Sequence, residues 1–356
     1  MRLYLSLVAV ASSINPVLSS AGEVYLTFDD GPIDATFGVL EVLKETNTKA
    51  TFFVNGFHIF GEGDENEDNA LEAFKRTVAE GHVVANHSWN HMLHNCCNDE
   101  GECGAVVCNQ IGMWNVRAYQ NVDKDTELFH FNSKALRQLI KTQTHGTIAP
   151  NDKLHAMGRM PYTNTYRLDS QNSDCACCTT DDVPPWDPSF DCSLEKPTFS
   201  AILSALVADE LKSSGMDLYG WDLEWGPENW GDDCPSCTLT TAENLADQVI
   251  ELSTADACKD QFEAHSYQRN YAFCDSAAHL GKVNILTHDF LFEDGPRGQG
   301  ATTNLPKLRD FILLMKSKGF EFKTLDQYGE MLTGNPGSKS SKSSPKSGKN
   351  RKLLIA

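Results

Sequence analysis

Strand-like and helix-like segments alternate along most of this 356-residue chain, and the alternation leaves few folds open to it. Short apolar runs rich in β-branched and aromatic residues are followed by longer segments with apolar residues three and four apart. This pattern favours a parallel β/α architecture, and we predict an irregular (β/α) barrel. The expected strands are 24–26, 49–55, 82–85, 218–223, 282–287 and 320–324, and the expected helices are 37–46, 70–80, 133–142, 198–213, 241–252 and 303–318.

The two ends of the chain differ in composition from the segment between them. Arg2, an apolar run over 3–11 and small residues up to Ala21 predict a secretory signal over residues 1–21. No other run reaches the roughly 18 apolar residues of a membrane-spanning helix. We therefore expect an exported protein, extracellular or bound to a cell wall, with one folded domain over residues 22–333.

Residues 334–356 form a Ser- and Lys-rich tail that contains too few apolar residues to fold alone. Its positive charges contrast with the acidic remainder of the chain. The tail is either a solvated extension or a segment that adheres to a polyanionic surface. The charged residues are Lys339, Lys342, Lys346, Lys349, Arg351 and Lys352.

Net charge and cysteine content restrict the possible partners and the compartment. A formal net charge of −19 argues against nucleic acid and favours uncharged or cationic partners. Twelve cysteines in an exported chain predict disulfides within loop insertions, and disulfide bonding is favoured for Cys234 and Cys237 over a redox or zinc pair. The other cysteines are Cys96, Cys97, Cys103, Cys108, Cys175, Cys177, Cys178, Cys192, Cys258 and Cys274.

Adjacent carboxylates, Asp29 and Asp30, follow the first strand and precede a Gly-Pro pair. Two such charges repel each other, so one is expected to bind a metal and the other to handle a proton. The alternative is that the segment is an ordinary turn with no role in binding or catalysis.

The segment His87-Ser88-Trp89-Asn90-His91 follows the third strand. Its i, i+4 spacing is expected to place both imidazoles on one face of a helical turn. With Asp30, they supply two histidines and one carboxylate, a set that leaves coordination positions open. Zinc is the default ion, and cobalt, nickel or iron fit the same ligands.

Arg159-Met160-Pro161-Tyr162 adds two further candidates. An arginine stabilises the ionised form of a neighbouring carboxylate, so Arg159 is a candidate partner for Asp29. Proline restricts the backbone beside Tyr162, whose main-chain N–H is then a candidate oxyanion donor.

Two later strand ends also carry polar side chains. In Trp221-Asp222-Leu223-Glu224-Trp225, either carboxylate is a candidate for orienting a catalytic imidazole, and the tryptophans, with Trp230, either line a sugar-binding cleft or belong to the core. His288 ends the strand that begins near residue 282, where a histidine is placed for general-acid work or for a structural role.

Together these segments resemble the NodB-type polysaccharide deacetylases, carbohydrate esterase family four, which include chitin deacetylases. The resemblance covers about residues 23–332, and its five motifs occur in order. It departs from the family at Met160 and Thr163, and the fourth motif aligns as either Glu224-Trp225 or Asn229-Trp230. The motifs are residues 27–32, 87–91, 159–162, 221–225 and 286–288.

The resemblance implies a barrel of the deacetylase type and a metal-dependent hydrolase that removes acetyl groups from an N-acetylated polysaccharide, with chitin expected first. We expect zinc as its ion and a monomeric protein. Alternatives are peptidoglycan or acetylxylan as substrate, an inactive carbohydrate-binding relative, and a disulfide-rich structural protein. The implied roles are catalytic base for Asp29, acid for His288, partner of the base for Arg159, oxyanion donor for the Tyr162 backbone, and metal ligands for Asp30, His87 and His91.

Overall fold

A computed structural model describes residues 21–60, 67–91, 117–161, 164, 166–168, 199–226, 239–254, 277–295 and 298–331. The expected signal segment, the basic tail and all twelve cysteines lie outside these residues. The disulfide-rich insertions therefore remain a prediction.

A parallel sheet forms the centre of the molecule, in the order β5-β4-β3-β2-β1-β7-β6, with β10 paired to the first half of β1. Its central strand, β1, pairs with β2 and β7 in parallel along most of its length. The strands are β1 (Gly22–Gly31), β2 (Thr51–Val54), β3 (Val83–Asn86), β4 (Met157–Gly158), β5 (Asp217–Leu218), β6 (Leu223–Glu224), β7 (Lys282–His288) and β10 (Phe320–Lys323); β8 (Asp294–Gly295) and β9 (Gly298–Gln299) form a separate antiparallel pair.

Helices follow the strands along the chain, which confirms the predicted parallel β/α architecture. Within the described ranges, no helix combines the length and the apolar character that crossing a bilayer requires. The helices are α1 (Ala35–Glu45), α2 (Phe57–Phe60), α3 (Glu67–Ala79), α4 (Arg117–Gln143), α5 (Phe199–Ser213), α6 (Ala242–Leu252) and α7 (Gly300–Ser317), with 3-10 turns at Ala278–Leu280, Asp289–Phe292 and Leu325–Met331.

The sheet curls into a half-barrel because its two edge strands, β5 and β6, are joined directly by residues 219–222. The prediction of one continuous strand over 218–223 is therefore wrong. The physical reason is Arg159, whose guanidinium donates hydrogen bonds to the carbonyls of Tyr219 and Gly220. These carbonyls would otherwise accept from a neighbouring strand.

Alternate residues of β1 face the two sides of the sheet, as in any strand. Val24, Leu26 and Phe28 belong to the main apolar core that α1, α6 and α7 cover. Tyr25 faces the interior of the half-barrel, where it packs among Tyr166, Tyr219 and Tyr328. Asp29 has the same strand parity as Tyr25 and is therefore directed to the interior.

Helix α4 is longer than the sequence predicts. It begins at Arg117 and ends at Gln143, so the expected helix over 133–142 is only its last part. The apolar stripe of this helix is interrupted by buried polar residues, Asn132 and Ser133, which bond to neighbouring elements. These interruptions weaken the helical periodicity of the sequence.

Candidate functional site

The carboxyl end of β1 places Asp29 and Asp30 at the edge of the sheet where the other parallel strands also end. The register of β1 against β2 shifts between Asp29 and Gly31, and Asp30 has a left-handed backbone with φ of 67°. A residue other than glycine in this region is strained by about 1–2 kcal/mol. The strained bulge turns the two adjacent carboxylates toward different partners.

His87 and His91 converge on Asp30. Their Nε2 atoms lie 3.4 Å and 3.2 Å from Asp30 Oδ1, and the donor atoms of all three residues lie within 4.8 Å of one another. Among the described residues, this is the one cluster of three or more metal-binding side chains. The sequence predicted these three residues together.

The expected helical turn over 87–91 is wrong, because the segment is a bend in which Ser88 and His91 have left-handed φ values of 66° and 57°. Buried amides hold it in place. Asn55 Nδ2 donates to the carbonyls of His87 and Ser88 at 2.6 Å and 3.1 Å, and Asn86 Oδ1 accepts from the Ser88 N–H at 2.9 Å.

The tautomer of His87 suits metal binding. Its Nδ1 lies 3.0 Å from the carbonyl oxygen of Arg159, which can only accept, so Nδ1 carries a proton and Nε2, which faces Asp30, is the nitrogen that a cation would bind. Asp30 Oδ1 is buried and has no hydrogen-bond donor among the described residues. An oxygen and two imidazole nitrogens converging in this way fit a divalent cation.

The electrostatics of the cluster are consistent with an ionised carboxylate. Burial would raise the pKa of Asp30, but the adjacent imidazoles of His87, His91 and His288 hold it well below its usual range. Burial, and then the charge of His87, lower the pKa of His91 to about 4. His91 is therefore neutral at pH 7, the form that binds a metal.

Arg159 lies beside Asp29 and is fully buried. Its Nη1 donates to Asp29 Oδ1 at 2.8 Å and to Thr27 Oγ1 at 2.6 Å, and its guanidinium carbon lies 4.3 Å from the centre of the Phe53 ring. The other oxygen of Asp29, Oδ2, lies 3.6 Å from His87 Nε2. Asp29 is thus held by one oxygen and directed at the cation site by the other.

His288 ends β7, directly beside Asp29 in the sheet register. Its Nε2 lies 3.9 Å from Asp30 Oδ2, so the distant histidine reaches the same pocket. Glu224 ends the neighbouring strand β6. Burial and the charge of Asp29 raise the pKa of Glu224, while His288 and Arg159 act in the opposite direction.

The structure separates the two carboxylates of the fourth motif. Asp222 Oδ2 accepts from the backbone N–H of Asn284 at 2.7 Å, and its Oδ1 lies 3.4 Å from the Tyr166 hydroxyl. These contacts join the segment 219–222 to β7. Glu224 is the carboxylate whose charge interacts with that of His288.

The aromatic residues are distributed differently from the predicted cleft. Trp225 is fully buried in the core against Phe292 and Phe311. Trp221 lies 5.8 Å from the Arg159 guanidinium. Tyr162, Asn229 and Trp230 lie outside the described residues, so the oxyanion donor stays a prediction.

An aromatic surface that the sequence analysis did not single out adjoins the metal-binding segment. Trp89, between the two histidines, stacks on Phe60 at 5.9 Å and contacts Phe131 edge-on at 4.7 Å. Phe60 and Phe131 are exposed. A possible sequence signal was Trp89 itself, since its position between two predicted ligands places it near the site.

These contacts define a class of protein: a parallel α/β protein with a candidate cation site of two histidines and one aspartate, beside a second aspartate held by a buried arginine. The chain also resembles known proteins. A family model described as polysaccharide deacetylase matches residues 19–144. A chitin disaccharide deacetylase from Vibrio alginolyticus is 40% identical over 333 residues, which are 91% of this chain and 77% of the relative.

Shorter matches are found to other deacetylases. A chitooligosaccharide deacetylase from Rhizobium leguminosarum bv. trifolii is 36% identical over 27% of this chain and 46% of that protein. A peptidoglycan-N-acetylglucosamine deacetylase from Bacillus cereus is 44% identical over 19% of this chain and 22% of that protein.

Among solved structures, the catalytic domain of a peptidoglycan N-acetylglucosamine deacetylase from Eubacterium rectale superposes with a TM-score of 0.42 at 18% identity, over 85% of this chain and 88% of that one.

The chain belongs to the polysaccharide deacetylase family. It is therefore a hydrolase, as the five motifs imply.

Proposed function

We propose that this protein is a zinc-dependent, exported deacetylase that hydrolyses the N-acetyl group of N-acetylglucosamine units in chitin or its oligomers and releases acetate. The observation that carries the proposal is the meeting of Asp29, Asp30, His87, His91 and His288 in one pocket. The substrate class is supported by the extent of similarity to the chitin disaccharide deacetylase, which covers 91% of this chain.

The position of each side chain suits it to one step of the hydrolysis. Asp29, oriented by Arg159, takes the proton of the attacking water, and His288 donates a proton to the departing amine, which leaves poorly without it. Glu224 orients His288. The Tyr162 backbone N–H is the expected oxyanion donor, and such a donor contributes about 3 kcal/mol.

Asp30, His87 and His91 are the ligands in this scheme. What a divalent cation supplies at such a site is polarisation of the acetyl carbonyl and acidification of the attacking water. Zinc suits the donor set of two imidazoles and a carboxylate, and cobalt fits the same donors.

A test of the base uses acetate release from N-acetylglucosamine oligomers by zinc-loaded protein. Asp29→Asn keeps the shape of the side chain but cannot take the proton, so the rate is expected to fall by about 100-fold or more. Asp123→Asn, at an exposed position on α4, is the matched control and is expected to keep full activity. Full activity of Asp29→Asn would remove Asp29 from the mechanism.

A second candidate substrate is peptidoglycan, because peptidoglycan-N-acetylglucosamine deacetylases match part of the chain. Parallel assays with chitin oligomers, peptidoglycan fragments and acetylated xylan, with and without a chelator, decide among the substrates. Release from xylan alone, or release that a chelator does not abolish, would contradict the proposal.

The ends of the chain complete the proposal. We infer that residues 1–21 are removed on export and that the tail over 334–356 retains the monomeric enzyme on a polyanionic surface through its basic residues. Deletion of residues 336–356 is expected to abolish salt-sensitive retention on such a surface. N-terminal sequencing of the secreted protein checks the cleavage site.

A further inference from the structure

A buried pair of polar side chains, Thr36 and Asp289, lies directly beneath the strained turn that carries Asp30. Both are almost inaccessible to solvent, at 1% and 0% exposure. Thr36 is on the first turn of α1, and Asp289 begins the 3-10 turn that follows His288. The pair therefore joins the loop after β1 to the end of β7, the two strand ends that carry Asp30 and His288.

The hydrogen bonds of the pair run in one direction. The backbone N–H of Ile33 donates to Thr36 Oγ1 at 3.0 Å, and the Thr36 hydroxyl donates to Asp289 Oδ2. By accepting one hydrogen bond and donating another, the Thr36 hydroxyl pairs the Ile33 N–H, a backbone group that the turn would otherwise leave unpaired. The geometry needs Asp289 only as an acceptor.

Gly31 rests on both members of the pair. A Cβ placed on Gly31 would overlap Asp289 Oδ2 and would lie 3.4 Å from Thr36 Oγ1. On its other side, the Gly31 carbonyl accepts from the Asn55 N–H at 2.9 Å. The backbone immediately after Asp30 is thus fixed from two directions.

This fixation matters because Asp30 has φ of 67°, a conformation that persists only when its surroundings impose it. We propose that Thr36 and Asp289 are positioning residues that hold Gly31 and thereby keep Asp30 in the left-handed conformation in which its carboxylate faces His87 and His91. Among the described residues, the hydrogen bonds of the pair run to the backbone of Ile33 and between its two members, and none reaches Asp30, His87 or His91, so the pair acts through the backbone. The inference rests on the proposed cation site, which it deepens.

The test measures cation affinity rather than activity. Apo protein is titrated with Zn²⁺ by calorimetry, and the visible absorption of bound Co²⁺ reports its coordination geometry. Thr36→Val removes the hydroxyl and keeps the shape of the side chain. Loss of a residue that orients a ligand typically lowers metal affinity by about 10–100-fold, and we expect a change in this range together with an altered Co²⁺ spectrum.

Two variants control for general effects on folding. Thr36→Ser restores the hydroxyl and is expected to bind Zn²⁺ within about threefold of the wild type. Thr77→Val removes a buried hydroxyl on α3 whose one partner among the described residues is the carbonyl of Ala73 in its own helix. It is expected to change the thermal unfolding of the apo protein as Thr36→Val does, without changing cation affinity. Unchanged affinity in Thr36→Val would overturn the proposal.

A second measurement separates the pair from the proposed function. In a crystal structure of the Thr36→Val apo protein, the backbone of Asp30 is expected to leave the left-handed region. If the wild type binds neither Zn²⁺ nor Co²⁺, the proposed cation site fails, and this φ value still decides the role of the pair. A retained left-handed Asp30 in the variant would overturn that role.

Discussion

At the scale of single residues, Arg159 is the side chain on which the geometry of the proposed base, Asp29, depends. Its donors point at Thr27, Asp29, Tyr219, Gly220 and Asn284, at 2.6–3.4 Å. A guanidinium has five N–H groups in a fixed plane, and each of these five residues offers an oxygen within hydrogen-bond distance of one of its nitrogens. The same residue orients a carboxylate and closes the gap between the two edge strands.

Arg159→Lys is therefore expected to be damaging although it keeps the charge. A lysine offers three donors from one nitrogen and leaves at least two buried acceptors unpaired, so the free energy of unfolding is expected to fall by about 2–5 kcal/mol, at about 1–3 kcal/mol for each unpaired acceptor. Misplacement of Asp29 is expected to lower kcat by about 100-fold. Chemical denaturation and acetate release measure the two effects.

The matched control is Arg76→Lys on α3. Arg76 forms ion pairs with Glu41 and Glu80 at the surface, where such pairs contribute about 0–1 kcal/mol. Little change is expected in either assay. Equal stability and equal activity of both variants would contradict the role given to Arg159.

Sequence reasoning reached the residues of the site with unequal success. Six residues could be found because each lies near the end of a strand or pairs with another residue in a known catalytic or metal-binding pattern. They are Asp29, Asp30, His87, His91, Arg159 and His288. Thr36, Asn55 and Asp289 could not be found, because a buried Thr, Asn or Asp acquires its role only from residues distant in the chain. The choice between Asp222 and Glu224 likewise needed the register of β6 against β7.

At the scale of elements, the bend over 87–91 shows why a spacing can identify ligands without giving their conformation. Two histidines four apart suit a helical turn, yet here left-handed Ser88 and His91 bring the imidazoles together. This conformation requires external support, which Asn55 and Asn86 supply from the ends of β2 and β3. The sequence contains both amides but does not show their partners.

Asn55→Asp tests this support. The substitution replaces a donor by an acceptor that faces the carbonyls of His87 and Ser88, so we expect the free energy of unfolding to fall by about 3 kcal/mol. Zn²⁺ affinity is expected to fall by about tenfold or more. Denaturant titration and calorimetry measure both quantities.

Asn47→Asp, at an exposed position after α1, is the control and is expected to stay within about 0.5 kcal/mol of the wild type. If Asn55→Asp unfolds and binds zinc as this control does, the bend over 87–91 does not depend on the hydrogen bonds from Asn55.

At the scale of the whole molecule, the candidate site and a buried histidine that affects stability lie at opposite edges of the parallel sheet. The described site residues lie at or soon after the carboxyl ends of the strands, whereas His82 lies at the opposite edge, before β3. His82 is fully buried, and its Nδ1 accepts from the Ala50 N–H at 3.3 Å. The predicted parallel alternation was sufficient to separate these two edges, because parallel strands begin at one edge and end at the other.

The buried imidazole makes the stability of the fold depend on pH. Burial, followed by the charges of Lys49 and Arg76, lowers the pKa of His82 from 6.5 to about 3. Between these values the unfolded chain binds a proton that the folded protein does not, so stability is lost as the pH falls below 6.5. The expected loss from this one group between pH 7 and pH 5 is about 2 kcal/mol.

His82→Gln is expected to remove this dependence, because glutamine can accept from the Ala50 N–H and does not titrate. Denaturant unfolding of the chelator-treated protein at pH 7 and pH 5 gives the comparison, with His155→Gln at an exposed position as control. His91, whose pKa is also lowered, contributes equally to wild type and variants, so the difference between them isolates His82. If the wild type and His82→Gln lose the same stability between the two pH values, the buried imidazole is not the group that titrates, and the acid sensitivity of the fold belongs to the site at the other edge of the sheet.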